Sequence, residues 1–152
     1  MGYEDLLNEA DSQNITVKEM PLLRNDGRIK GNRIAIRMDI HSTAKKADVL
    51  AEELGHHYTT VGNITTQDTV NARKQERTAR LWAYNKRIGL IGLVDAFKHG
   101  CQNRFEVAEF LDVSEDTLVE ALEYYRQIYG ISTRLDNYRI QFEPHLAIIE
   151  LF

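Results

Sequence analysis

Residues Thr43 to Tyr58, TAKKADVLAEELGHHY, narrow most sharply what this chain can fold into. Ala47, Leu50, Ala51 and Leu54 recur at i, i+3, i+4 and i+7. At ~100° per residue that spacing draws one apolar stripe along a helix. Ser42 or Thr43 can cap its first free N–H groups. The segment before it has the other period: Ile34, Ile36, Met38 and Ile40 alternate with Arg33, Ala35, Arg37 and Asp39. That is a half-buried strand running straight into the helix. A strand feeding an amphipathic helix makes the expected class α+β.

The polar side of the helix carries the chemistry. Glu52, Glu53 and His56 fall roughly opposite the stripe, with Glu52 and His56 one turn apart and able to hold one metal ion between them. Glu53, beside them, is placed to work on a water. This is the spacing of the zinc-peptidase helix His-Glu-x-x-His with Glu52 standing where the first His would be. Five such residues alone also suit, and more readily, an ordinary solvated helix face. A second segment, QERTARLWAYNKRIGLIGLV from Gln75, sets Glu76, Ala79, Trp82 and Ala83 at helical spacing some 20 residues further on.

AEELGHH and QERTARLWAY together resemble the ImmA/IrrE family of metallo-endopeptidases, and its short phage and mobile-element members above all. The resemblance implies a zincin-like metallopeptidase domain over residues 1–100, with a small sheet and an active-site helix. It makes Glu76 the third metal ligand beside Glu52 and His56, and Glu53 the catalytic base. The implied ion is Zn²⁺. The Glu-His-Glu set is harder and more negative than His-His-Glu, which admits Mn²⁺ or Fe²⁺. The implied role is to cut a helix-turn-helix repressor of the same mobile element. The alternative is a catalytically weak or inactive module that binds the repressor without cleavage. His57 and Tyr84 are candidates for an outer hydrogen-bonding role or for an oxyanion donor. His41, just before the helix, is a candidate to replace the missing imidazole. Arg33–Ile40 is a candidate edge for an extended substrate, with a purely structural strand as the alternative.

The rest of the chain reads in order. Tyr3–Ala10 is an expected helix with Leu6 and Leu7 inward, and Asn14–Met20 an expected strand ended by Pro21. Asn25-Asp26-Gly27 and Lys30-Gly31-Asn32 are turn signals. Thr59–Thr69 reads as a loop or crossover, Val70–Arg87 as the Glu76 helix, and Ile88–His99 as its apolar continuation, stopped by Gly100. Residues 101–152 read as a separate module packed on the core, or as part of one single domain. In it two helices meet at Asp112-Val113-Ser114 with helix-turn-helix spacing, and a hairpin bends at Asp136-Asn137.

Composition excludes several classes. A chain of 152 residues buries ~70% of its unfolded surface and needs neither disulfide nor metal merely to fold. A single cysteine, Cys101, rules out a disulfide framework and a Cys-based zinc site. The N-terminal MGYEDLLNEADSQ is acidic and lacks an apolar run, and no segment has the ~20 apolar residues of a membrane span. A cytoplasmic protein is expected. The net charge of −4 argues against nucleic-acid binding through phosphates, and Glu115, Asp116, Glu120 and Glu123 on the would-be recognition helix argue further against it.

Overall fold

The computed structural model describes residues 1–60 and 69–152. The chain divides into two compact units, Met1–Lys86 and Arg87–Phe152. The sequence reading puts the division after residue 100, because the apolar run Ile88–His99 looks like an extension of the helix before it. Those residues belong to the second unit.

In the first unit α1 (Tyr3–Ser12) leads into β1 (Thr16–Met20), β2 (Gly27–Lys30) and β3 (Arg33–Arg37). Then come α2 (Thr43–Thr59) and α3 (Thr69–Arg87), whose last residue opens the second unit. The sheet order is β1-β3-β2. β3 pairs parallel to β1, with Val17 opposite Ile34, and antiparallel to β2, with Ile29 opposite Ile34. β2 has no counterpart in the sequence reading, since its four residues lie between two turn signals and are too few to display a period. Gly31, at φ +60°, turns the β2–β3 hairpin, a backbone state that favours glycine. Arg37 secures the loop ahead of β2: its Nε donates to the Leu22 carbonyl at 3.2 Å and its Nη1 to Asp26 at 3.0 Å.

The central position of β3 corrects one expectation. Both edges of Arg33–Arg37 are already paired, so this segment cannot take up a substrate strand; the alternation showed a buried face but not which edges were free. Among the described residues β2 pairs with β3 alone.

The core of this unit is the inner sheet face against α1 and α2. Leu6, Ala10, Ile34, Ile36, Ala47, Leu50, Ala51 and Leu54 are buried in one cluster, and Ile29, Ile40 and Trp82 pack on it. The α2 stripe is thus the buried face expected from its spacing. Ser42 caps the helix, its hydroxyl accepting from the Lys45 N–H at 3.2 Å. Met38, by contrast, is 55% exposed, because β3 ends at Arg37. The expected crossover after Thr59 falls almost wholly outside the described residues.

The second unit holds α4 (Gly89–His99), α5 (Arg104–Leu111) and α6 (Glu115–Tyr129), then β4 (Ser132–Leu135), β5 (Tyr138–Gln141) and β6 (Ala147–Glu150). Its sheet is antiparallel in the order β4-β5-β6; β6 adds a third strand to the expected hairpin. Gly89, at φ +66°, breaks the helix that the apolar run predicted to be continuous. Gly100 ends α4 in the left-handed conformation. Asn103 and Ser114 cap α5 and α6, accepting from Glu106 N–H and Thr117 N–H. No helix among the described residues is long and apolar enough to cross a membrane.

Candidate metal centre

Two helices bring the site together, and two small residues let them approach. Gly55 on α2 lies so near the Ala79 carbonyl of α3 that a methyl group there would fall on its oxygen. Ala79 is itself fully buried. Three positions before this crossing stand Glu52 on one helix and Glu76 on the other, and His56 follows Gly55 directly. The crossing therefore aligns residues that are 20 or more apart in sequence.

His56 Nε2 stands 3.0 Å from Glu76 Oε2. One ligand atom from each of Glu52, His56 and Glu76 lies within 4.8 Å of the other two, a group that could hold a metal ion. At metal–ligand bonds of ~2.0–2.1 Å, tetrahedral neighbours sit ~3.3 Å apart, so the 3.0 Å separation already suits one ion. One imidazole nitrogen and two carboxylates fit a divalent ion of borderline or hard character.

Arg80 was missed from the sequence. Its Nε donates to Glu76 Oε1 at 3.1 Å and reaches Glu52 Oε1 at 3.4 Å. The only sequence signal is its place four residues after Glu76, which reads as an ordinary helical ion pair.

The carboxylates are perturbed in a connected way. Burial pushes Glu52 up to about 7; a hydrogen bond shared with Glu76 adds to this and Arg80 opposes it. Burial works on Glu76 in the same direction, but the hydrogen bond with Glu52, His56 and Arg80 together hold it below the ordinary carboxylate range. Of the two, Glu52 is the one held toward its protonated form. Glu53 is also pushed up to about 7, by burial first and then by the charge of Glu76.

Glu53 packs against β2. A methyl on Gly27 would meet Val49 Cγ1 at 2.6 Å and both Glu53 Cγ and Oε1 at 3.0 Å. A glycine lets the strand backbone pass this close to the carboxylate without displacing it. Among the described residues Glu53 has no hydrogen-bond or ion-pair partner.

The other candidates have contacts of their own. The His57 ring packs edge-on against Tyr58, with centroids 5.0 Å apart, and Tyr58 in turn contacts Trp82 at 5.2 Å. Tyr84 is buried and lies eight residues along α3 from Glu76, ~12 Å by helical rise. His41 is exposed at the far end of α2, ~20 Å along the axis from His56, and cannot replace the missing imidazole. His99 stacks on Phe110 in the second unit at 4.5 Å. Comparison with protein-family models, with curated proteins and with solved structures finds no match.

Proposed function

We propose that this chain is a metal-dependent endopeptidase with a zincin-like first unit, acting in the cytoplasm on a helix-turn-helix repressor of the same mobile element. The convergence of Glu52, His56 and Glu76 ligand atoms from two helices supports this reading, and the resemblance to ImmA/IrrE proteins supplies the substrate. A divalent ion held by these three residues, zinc by preference, supplies Lewis acidity, which lowers the pKa of water toward ~7 and polarises a carbonyl. Glu53 takes the proton of the attacking water and returns it to the leaving amine. Its position suits that work: half-buried, next to Glu52 on α2, within reach of the charge of Glu76 and without a protein partner among the described residues. The outer edge of β2, which passes directly over Glu53 at Gly27, takes the role first expected of Arg33–Ile40. An extended peptide added there would gain main-chain hydrogen bonds independent of its sequence.

One observation favours the second reading, a module that binds the repressor without cutting it. Arg80 already pairs with both carboxylates, so part of the cluster's charge is offset without an ion. Metal content decides the point. Wild type dialysed against zinc and then against buffer should retain about one ion per chain, and His56→Ala should retain none. Wild-type protein that stays metal-free would sink the metal centre.

The second unit resembles a helix-turn-helix followed by a hairpin, and we read it as a protein-docking rather than a DNA-binding module. Residues 87–152 hold eleven Asp and Glu against six Lys and Arg. Glu115, Asp116, Glu120 and Glu123 are all exposed on α6, where they would repel phosphates. In an electrophoretic shift at low salt the full chain should bind duplex DNA no tighter than ~10⁻⁴ M. A sequence-specific shift would overturn this.

A further inference from the structure

We propose that Arg80 sets the charge of the metal centre, offsetting the extra negative charge that Glu52 brings in place of histidine. The proposal rests on Glu52, His56 and Glu76 being ligands. Counting charges shows the need: a His-His-Glu set carries one negative charge, whereas Glu52, His56 and Glu76 carry two when both carboxylates are ionised. One guanidinium returns the total to a single negative charge.

The geometry matches that role. Arg80 Nε lies against Oε1 of both glutamates, at 3.1 Å from Glu76 and 3.4 Å from Glu52. The second oxygen of Glu76 is turned the other way, to His56 Nε2 at 3.0 Å. Glu76 thus divides its two oxygens between a fixed cation and the ligand cluster. Arg80 can keep its hold on Glu76 Oε1 while Glu76 Oε2 faces an ion. A guanidinium is suited to this because it stays charged and its planar fork can address two carboxylates at once.

Two opposed effects on affinity follow, and their signs differ. If Arg80 served only to order the carboxylates, removing it would loosen the site and weaken metal binding. If its charge is the function, removing it leaves a more negative cluster that binds a dication more tightly. The gain should be about tenfold, the size Coulomb's law gives for a unit charge roughly 5 Å from a dication in a water-like dielectric. Arg80 is 40% exposed at its side chain, so the water-like value is the appropriate one and Arg80→Met should fold normally.

The test is the Zn²⁺ and Mn²⁺ dissociation constant of the full chain, measured by competition with a chromogenic chelator at pH 8 for wild type, Arg80→Met and Arg80→Lys. Arg80→Met is expected to bind about tenfold more tightly, and Arg80→Lys, which keeps the charge, within about threefold of wild type. Metal bound by Arg80→Met but not by wild type would support the proposal in its strongest form. Wild type that binds while Arg80→Met binds equally or more weakly would overturn it and leave the metal centre intact. No binding by any of the three proteins would overturn both.

Discussion

Glu53→Gln should lower repressor cleavage by about 10²–10⁴-fold, the usual cost of losing a general base, while the protein keeps its metal. Glu53 is not among the three converging ligand residues, so the substitution leaves the ion's own donors untouched. Glutamine also has nearly the same shape, which matters because the Gly27 backbone passes close to this side chain. What it cannot do is accept a proton. The measurement has two halves: metal content and repressor binding of the variant, both expected near wild type, and cleavage of the repressor under conditions where wild type cuts it. Equal relief of repression by the two proteins would mean that the chain works by binding, and the peptidase reading would be wrong.

Gly55→Ala should cost about 3 kcal/mol of stability, at the upper end of overpacking effects, and lower Tm by roughly 10 °C. The methyl would land on a backbone carbonyl of α3, which cannot rotate aside as a side chain can. One helix must move, and Glu76 moves with it, so metal affinity should fall together with stability. Gly92→Ala provides the internal comparison. It too lies within a helix, but its methyl meets only the Leu111 side chain, at 3.3 Å. That contact can yield, and the gain in helix propensity of ~0.5–1 kcal/mol offsets it. Thermal unfolding of both variants, with and without zinc, tests the contrast. Equal Tm values for Gly55→Ala and wild type would show that the helices do not cross as tightly as described.

What could be read from the sequence was whatever is local. Ala47, Leu50, Ala51 and Leu54 share a face because of helical pitch, and all four are fully buried. The same pitch puts Glu52 and His56 one turn apart, so half of the site was legible without a partner helix. Glu76 was reached through resemblance, since no local rule says which of many glutamates will arrive opposite His56. Arg80 looked like any helical partner of Glu76; its second contact, to Glu52, exists only once α2 and α3 have crossed. Gly55 and Ala79, which make that crossing, are too small to register in a hydrophobic pattern. The sheet failed for a related reason. Alternation at Ile34 and Ile36 reports a buried face, but strand order depends on pairing, and Arg33–Arg37 proved to be in the middle. At Ile88 an apolar period runs on through a residue, Gly89, whose backbone leaves the helix.

The direction in which α2 runs has its own effect on the ion. The helix starts at capped Ser42 and ends at Thr59, so His56 belongs to its last turn and Glu52 stands one turn before it. There the peptide dipoles add up to roughly half a negative charge. In the last turn the Gly55 carbonyl accepts from the Thr59 hydroxyl at 2.6 Å, and the His56 carbonyl from the Thr60 N–H at 3.1 Å. The main chain therefore attracts a cation to this end by about 0.3–1 kcal/mol, a share that no side-chain exchange removes. A Glu and a His at the same spacing in the first turns of a helix would face the opposite pole and hold their ion less firmly.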